Sequence, residues 1–225
     1  MAAKINDVSI IIAANNALTY SKNCLQSIMD YTPNGYELIL VNNGFTDGTQ
    51  EFFDQIPGAR VIYNDMNRGF AGGFNQGIKA ASKPFLVLLN NDCIVSQNWL
   101  SNMLGCMERE PGIGIVGPRA NRVSGRQRLE REFRDIADLH AFTTAFNQTD
   151  SSRCFPVSIL SGFHNLLGRE VVEEIGYLEE ATRSSISTDT DYCMRARLSG
   201  YKLFCAGDVF IYHLPNPERQ KECHI

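Results

Sequence analysis

Residues 85–92, Phe-Leu-Val-Leu-Leu-Asn-Asn-Asp, decide the fold that we expect for this chain. Five apolar residues in a row are too few for a helix and are typical of a strand buried on both faces in a parallel sheet. The run ends in two amides and a carboxylate, at the carboxyl end of the strand, where open α/β sheets bind their ligands. Asp92 is a hard oxygen ligand that suits Mg²⁺ or Mn²⁺, ions that take one or two protein carboxylates beside phosphate oxygens. The alternative for Asn90, Asn91 and Asp92 is a cap for the next helix, because Asn and Asp are common cap residues.

The composition is that of an ordinary folded domain. The 225 residues are 44% hydrophobic and 20% charged, which suits one large domain or one domain with a small appendage. Lys and Arg number 21 against 25 Asp and Glu, a net charge of −4, so we expect no nucleic-acid partner. No apolar run approaches the roughly 20 residues of a membrane span, and residues 1–7 lack the apolar core of a signal peptide. We expect a cytoplasmic location without a membrane span, with peripheral attachment to the inner face of the membrane as an alternative.

The cysteines point to the same compartment. The chain has seven, an odd number, and no Cys-x-x-Cys pair. That pattern fits reduced cytosolic thiols better than a disulfide framework or a zinc site.

Strand and helix patterns alternate along the first half of the chain. We predict strands at 8–13, 36–41, 60–63, 85–89 and 112–117, and helices at 18–31, 50–55, 69–82 and 97–109. Such alternation indicates parallel βαβ units. In the second half we predict β structure within 155–167, helices at 168–175 and 188–200, and two final strands at 201–205 and 209–212.

Residues 119–134 differ from both halves because they carry many arginines and few large apolar residues. The arginines are Arg119, Arg122, Arg126, Arg128, Arg131 and Arg134. One interpretation is a solvated loop and helix face. The other is a mobile flap that contacts an anionic ligand.

Six segments carry motif-like sequences in a fixed order. They are VSIIIAANN (8–16), LVNNGFTDGT (40–49), NRGFAGGFNQG (67–77), LLNND (88–92), SGFHNLLGREVVEEIG (161–176) and TDTDYCMRARLSGY (188–201). They resemble the motifs of glycosyltransferase family 2, including its rhamnosyltransferase-like members: V-S-I-I-I-P-T-Y-N, V-D-N-G-S-T-D-G-T, N-x-G-F-A-G-A-x-N-x-G, a D-x-D-like triplet, S-G-x-x-x-L-x-R-R-x-x-F-x-x-x-G-G and E-D-V-D-L-x-x-R-x-x-x-x-G-Y. Each match is weak by itself, but the six together are specific.

The resemblance implies a fold and a reaction. The fold is GT-A, a Rossmann-like, mostly parallel central sheet flanked by helices, with a small β/α extension on the acceptor side. Residues 1–225 would form one domain: 1–117 as the nucleotide-sugar-binding half, 118–214 as the acceptor-side half and 215–225 as a tail. The reaction is attack of an acceptor hydroxyl on the anomeric carbon of a nucleotide-diphosphate sugar, with inversion. It needs a base, a cation for the leaving diphosphate and a pocket that aligns both substrates.

The resemblance also implies site residues. Asp189 stands at the position of the base, and Asp92 with His213 at the positions of ligands to Mn²⁺ or Mg²⁺. The nucleotide-sugar-binding positions are Ala13, Asn15, Asn42, Gly69, Gly72, Asn91 and Gly162. The alternatives are structural: a helix-capping role for Asp189, an ordinary surface or core histidine at 213, and glycines that serve helix–strand packing.

Several positions depart from the family pattern. In the first three motif positions concerned, the family has Pro, Tyr and Asp where this chain has Ala13, Asn15 and Asn42, respectively. In the other three, the family has Ser, an acid and Glu where this chain has Phe45, Asn90 and Thr188. Because an amide at position 42 can donate as well as accept a hydrogen bond, the base is not fixed as uracil or thymine. We therefore expect a UDP-, dTDP- or GDP-linked donor, with a glycan, a lipid-linked molecule or a protein as acceptor.

Two functions of different class remain open. The first is a metal-dependent inverting glycosyltransferase of cell-surface glycan or polysaccharide synthesis. The second is a catalytically silent nucleotide-sugar-binding or assembly module of a larger glycan-building protein, which the acid-to-amide changes favour. A dinucleotide-dependent oxidoreductase is excluded because the first strand ends in Ala-Ala-Asn-Asn without the G-x-G-x-x-G turn.

Overall fold

The computed structural model describes residues 3–14, 18–44, 47–161, 164–180 and 187–215. The strands and helices, in chain order, are β1 (Val8–Ala14), α1 (Leu18–Tyr31), β2 (Glu37–Asn42), α2 (Thr49–Phe53), β3 (Arg60–Tyr63), α3 (Gly69–Ala80), β4 (Phe85–Asn90), β5 (Cys93–Ile94), α4 (Trp99–Met107), β6 (Ile113–Ala120), α5 (Ile136–Phe146), β7 (Phe155–Val157), β8 (His164–Gly168), α6 (Arg169–Ile175), α7 (Thr188–Leu198) and β9 (Lys202–His213). None of these described helices has both the length and the apolar character needed to cross a membrane.

The strands form a nine-stranded mixed sheet in the order β3-β2-β1-β4-β8-β6-β9-β5, with β7 also paired to β9. β3, β2, β1 and β4 are parallel neighbours, as the alternation of strands and helices predicted. β8 then lies antiparallel between β4 and β6, and β6 is parallel to β9. The predicted α/β class, with a mostly parallel central sheet flanked by helices, is confirmed.

β4 is buried on both faces, which confirms the prediction from its apolar run. Val87 and Leu89 face a core shared with α1 and α4, in which Trp99 is fully buried. Leu86 and Leu88 face a second core shared with α3, α6 and α7. Successive side chains of a strand point to opposite faces, so one five-residue run contributes to both cores.

Helix α3 packs closely on β1 because two of its residues lack a side chain. A Cβ atom at Gly77 would lie 2.2 Å from Cγ2 of Ile11, and one at Gly73 would lie 3.2 Å from Cβ of Ala13. For these two glycines the structure supports helix–strand packing.

The prediction of two final strands, at 201–205 and 209–212, is wrong, because both ranges belong to one strand, β9. Its pairing with β6 jumps from Pro118 opposite Ala206 to Arg119 opposite Phe210, which is a bulge. The Gly207-Asp208 pair resembles a turn in sequence, but tertiary contacts hold it in the sheet. The backbone N–H of Asp150 donates to Oδ2 of Asp208 at 2.9 Å, and a Cβ at Gly207 would collide with the carbonyl oxygen of Arg153.

Helix α5 was not predicted. Asp135 caps it, accepting a hydrogen bond from the backbone N–H of Asp138 at 2.8 Å. Its Phe142 ring lies 5.3 Å from the ring of Phe210 in β9, so the helix covers the outer part of that strand. The guanidinium of Arg131 lies over Phe142 at 4.6 Å.

Other arginines of the 119–134 segment also make local contacts. Arg126 lies over the ring of Phe155 at 4.4 Å, and Arg119 donates to the carbonyl oxygen of Arg128 at 2.9 Å. These contacts hold the segment against the sheet, while a role toward an anionic ligand stays a prediction.

Candidate active site

Three strands end side by side at the carboxyl edge of the parallel part of the sheet. The pairing register places Ala13 of β1 opposite Asn90 of β4, and Ala14 opposite Asn42 of β2. Asn42 is buried, and its carbonyl oxygen accepts a hydrogen bond from the backbone N–H of Asn64 at 2.9 Å. The structure thus brings the predicted residues Ala13 and Asn42 to one edge. The predicted residues Asn15, Phe45 and Gly162 lie outside the described residues.

Asp92 and His213 meet just beyond this edge. Oδ1 of Asp92 lies 3.0 Å from Nε2 of His213, with side-chain exposures of 0% and 16%. The antiparallel pairing of β5 with β9 positions them, and the carbonyl oxygen of Asp92 accepts from the backbone N–H of Leu214 at 2.8 Å. A buried carboxylate is costly unless a hydrogen-bond partner, a cation or a metal ion compensates it. The structure thus brings together the two residues predicted as metal ligands, at a hydrogen-bonding distance.

Asn121, which sequence inspection did not single out, holds the backbone of His213. Its Oδ1 accepts from the N–H of His213 at 2.8 Å, and its Nδ2 donates to the carbonyl oxygen of the same residue at 3.0 Å. Asn121 follows β6 outside any of the recognised motifs, so the sequence alone did not predict this contact.

Asn91, predicted to bind the nucleotide sugar, lies in the interior. Its Nδ2 donates to Oγ of Ser21 in α1 at 3.0 Å. The neighbouring Asn90 accepts at its carbonyl oxygen from Sγ of Cys24 at 3.6 Å, also in α1. These contacts fix the turn before Asp92 against α1.

Asn43 organises the loop that leads into α3. Its Oδ1 accepts from the backbone N–H of Arg68, and its Nδ2 donates to the carbonyl oxygen of Gly69, each at 3.0 Å. Gly69 has φ 72°, a left-handed conformation that favours glycine. A Cβ at Gly72 would lie 2.9 Å from Cβ of Arg68. The predicted glycines thus help shape the loop around Asn43, whose own role the motif N-N-G did not reveal.

Asp47, the acid of the T-D-G-T motif, connects two helices. Its Oδ2 accepts from the backbone N–H of Leu18 at the start of α1, at 3.0 Å. Its Oδ1 accepts from the backbone N–H and the hydroxyl of Thr49 at the start of α2, at 3.1 and 2.6 Å. This motif acid therefore has a capping role in the structure.

Asp189 lies in the first turn of α7 and lines a cavity of about 550 Å³. Arg126, Gln127 and Ser161 line the same cavity. The buried Gln127 fixes its wall: Oε1 accepts from the N–H of Ser161 at 2.9 Å, and Nε2 donates to the carbonyl oxygen of Pro118 at 3.0 Å. Asp189 therefore borders a space large enough for part of a ligand.

Burial raises the pKa of two thiols near the candidate carboxylates, and the carboxylates add to that effect. Burial raises the pKa of Cys193 to about 11, and the charge of Asp189 adds to this effect. Burial likewise raises the pKa of Cys24 well above its usual range, with a further contribution from Asp92. Both thiols are therefore uncharged at neutral pH.

The donor atoms around Asp92 fit a divalent ion. Within the described part of the chain, Asp92, Cys93 and His213 form a group whose ligand atoms all lie within 4.8 Å of one another. A carboxylate oxygen, a thiol sulfur and an imidazole nitrogen are all common metal ligands. Asp92 is the single carboxylate of the Asn90-Asn91-Asp92 triplet, and so its one negatively charged ligand group for a divalent ion.

Comparison with solved structures defines the class of the fold as GT-A. The chain superposes on GalNAc-T7, solved with UDP, GalNAc and Mn²⁺. The TM-score is 0.74 and the identity 16%, over 94% of this chain and 43% of that chain. The mannosyltransferase PcManGT from Pyrobaculum calidifontis, solved with GDP-Man and Mn²⁺, gives a TM-score of 0.69, 18% identity, and coverage of 94% and 58%.

Sequence comparison gives the family. Residues 9–176, more than half of the chain, match the profile of Glycosyl transferase family 2, and the chain belongs to that family. It is 26% identical to glycosyltransferase AglE of Haloferax volcanii, over 96% of this chain and 70% of that protein. It is 24% identical to the poly-beta-1,6-N-acetyl-D-glucosamine synthase of Staphylococcus aureus, over 89% of this chain and 48% of that protein. The chain thus spans about half the length of the synthase, and 25% of a further relative, protein y4gI of Sinorhizobium fredii.

Proposed function

We propose that this chain is a metal-dependent, inverting glycosyltransferase domain that moves a sugar from a nucleotide-diphosphate sugar to an acceptor hydroxyl, in cell-surface glycan or polysaccharide synthesis. The observation that carries the proposal is the 3.0 Å approach of Asp92 to His213 beside the strand ends of Ala13 and Asn42, at motif positions of the family. The placement of Asp189 in a cavity supports the same function. So do the UDP, GDP-Man and Mn²⁺ of the structural neighbours.

The donor half would use residues 1–117. The edge at Ala13 and Asn42 and the loop shaped by Asn43 would hold the nucleotide, and Gly69 and Gly72 would let the backbone approach it. UDP-, dTDP- and GDP-linked donors all remain candidates, since position 42 is an amide. Asp92 and His213 would hold Mn²⁺ or Mg²⁺, which when bound offsets the negative charge that develops on the leaving diphosphate.

The acceptor half would use residues 118–214. Asp189 would accept the proton of the acceptor hydroxyl as its oxygen bonds to the anomeric carbon. The bond from that carbon to the diphosphate breaks, and its electron pair leaves with the nucleotide diphosphate. The cavity beside Asp189, with Arg126, Gln127 and Ser161 in its lining, would align a glycan, lipid-linked or protein acceptor.

The test is a transfer assay with a panel of UDP-, dTDP- and GDP-sugars, with and without Mn²⁺, reading release of nucleotide diphosphate. We expect metal-dependent release with one class of donor, and loss of release with the Asp189→Asn variant. Binding of a donor without release, for every donor and acceptor tried, would instead support the silent binding module that the amides at positions 42 and 90 suggest. Absence of both binding and release would contradict both functions.

A further inference from the structure

Cys93 lies next to the pair formed by Asp92 and His213. The register of β5 and β9 places Cys93 directly opposite His213, and residues directly opposite in an antiparallel pair lie on the same face of the sheet. Its sulfur lies within 4.8 Å of the carboxylate oxygen of Asp92 and of the imidazole nitrogen of His213. Cys93 is fully buried, so its thiol faces these two side chains and not bulk water.

We propose that Cys93 is a third protein ligand of the metal ion held by Asp92 and His213, and that its sulfur makes the site prefer Zn²⁺ or Co²⁺ to Mg²⁺. This inference rests on the proposed function only in taking Asp92 and His213 as the metal ligands.

The chemistry of the three donors supports this preference. Mg²⁺ takes oxygen ligands in near-octahedral geometry, whereas thiolate and imidazole favour Zn²⁺ and other later transition-metal ions. Three protein ligands that include sulfur and nitrogen, with a fourth position open, are typical of catalytic zinc sites. Here a diphosphate oxygen of the donor would fill the open position.

The three ligand atoms are close enough to converge on one ion after small shifts of their side chains. Two ligands bound at about 2.0–2.3 Å to one ion lie roughly 3.3–3.7 Å apart in a tetrahedral site. Asp92 and His213 approach to 3.0 Å, and the sulfur lies within 4.8 Å of both ligand atoms. The cysteine spacing in the sequence gave no sign of this site, because its ligands come from two distant segments that only the β5–β9 pairing brings together.

Cys24 provides a matched control. It is also a fully buried cysteine close to Asp92, but its Sγ donates to the carbonyl oxygen of Asn90 at 3.6 Å. Replacing Cys24 or Cys93 with Ser removes one buried thiol from the same part of the core. We expect the two substitutions to have similar effects on folding, but only Cys93→Ser to change metal binding.

The experiment is a titration of the metal-free chain with Co²⁺ alone, followed by UDP or GDP. We expect a near-ultraviolet sulfur-to-cobalt charge-transfer band in the wild-type chain and in Cys24→Ser, and none in Cys93→Ser. X-ray absorption of the zinc-loaded wild-type chain should show one sulfur at about 2.3 Å. In competition, Cys93→Ser should shift the preference from Zn²⁺ toward Mn²⁺ by about tenfold or more, the scale of ligand-shell changes in metal sites.

The inference is overturned if the wild-type chain binds Co²⁺ or Zn²⁺ without a sulfur ligand, or if the band persists in Cys93→Ser. The zinc absorption spectrum needs no variant, so it decides the matter even if Cys93→Ser does not fold. Metal-dependent binding of UDP or GDP without a sulfur signal would leave the proposed function standing while removing Cys93 from the site. A sulfur signal without any nucleotide binding would support the thiol ligand and count against the glycosyltransferase function.

Discussion

Asp191 accepts two contacts from Arg195, at 2.9 Å from Nε and 2.9 Å from Nη2. The same guanidinium donates to the carbonyl oxygens of Ile175 and Tyr177 at 2.7 and 3.0 Å. Asp191 therefore helps fasten α7 to the end of α6, whereas Asp189, two residues earlier, lines the cavity. The candidate base Asp189 and the neighbouring acid Asp191 thus have different surroundings.

Replacing Asp189 with Asn should lower sugar transfer by about 10²-fold or more, because Asn has the shape of Asp but cannot take a proton. The free energy of unfolding should change by less than about 1 kcal/mol, because Ser187 caps α7 and Asp189 loses only its charge in the first turn. Steady-state transfer rates and urea unfolding measure the two effects. Asp191→Asn is the control and should keep transfer within a few fold. The reverse pattern, with transfer lost only in Asp191→Asn, would assign the base to Asp191.

Replacing Asp92 with Ala should abolish metal-dependent binding of nucleotide diphosphate, because it removes the carboxylate proposed to hold the ion. Isothermal titration of UDP and GDP with and without Mn²⁺ measures this directly. Asn90→Ala should weaken binding less, since a neutral amide contributes little to holding a divalent ion. If Asp92→Ala binds nucleotide with unchanged affinity and unchanged metal dependence, Asp92 is not a metal ligand.

Replacing Asn42 with Asp should change the discrimination among UDP, dTDP and GDP. The amide can donate and accept a hydrogen bond, while the carboxylate only accepts, so the two present different patterns to a base. Competition binding against one labelled nucleotide gives the three relative affinities. An equal change in affinity for all three nucleotides would mean that Asn42 affects the local structure at the end of β2 and does not recognise the base.

Replacing Gly77 with Ala should destabilise the domain by about 1–3 kcal/mol, the usual cost of overpacking a core. The new Cβ would lie 2.2 Å from Cγ2 of Ile11, so α3 would have to move away from β1. Gly105 in α4 is the control, because it is exposed and no atom lies within 4 Å of its Cβ position. Gly105→Ala should stabilise by about 0.5–1 kcal/mol. Urea unfolding of both variants tests the packing, and equal effects would contradict it.

His164 should make stability fall as the pH drops below about 6.5. Burial beside Trp99 lowers the pKa of His164 from 6.5 to about 3 in the folded chain, so between these values only the unfolded chain binds the proton. Above pH 6.5 the neutral His164 costs the folded chain nothing. Between pH 6.5 and pH 3 the free energy of unfolding should fall by about 1.4 kcal/mol for each pH unit. His164→Phe keeps a ring without titrating, and its unfolding free energy should depend less on pH. Parallel curves for the two proteins would show that His164 titrates normally.

The parallel half of the sheet was predictable because its signals are local. The apolar run before Asn90 and the turn residues after each strand identify β1, β2, β3 and β4 without knowledge of the rest of the chain. The helix over residues 18–31 and the strand over 60–63 have the predicted bounds. The antiparallel insertion of β8 between β4 and β6 has no such local signal, because it depends on which strands meet in the folded chain.

The site was predictable to the extent that motif position identifies it. Asp92, His213 and Asp189 follow from spacing and resemblance, and the structure brings the first two together. The contacts of Cys93 and Asn121 were not predictable, because both residues meet His213, which is distant from them in sequence. Helix α5 could have been read from its Asp135 cap, but the arginines before it obscured its apolar face.

The bulge in β9 sets which way the end of that strand faces. Between Pro118 and Arg119 the partner strand advances from Ala206 to Phe210, three residues more than a regular ladder would allow. Three is an odd number, and side chains alternate between faces, so removal of a single residue here would reverse the orientation of everything downstream. An insertion or deletion of one residue at this point would turn His213 away from Asp92 while leaving every residue of the motifs in the sequence.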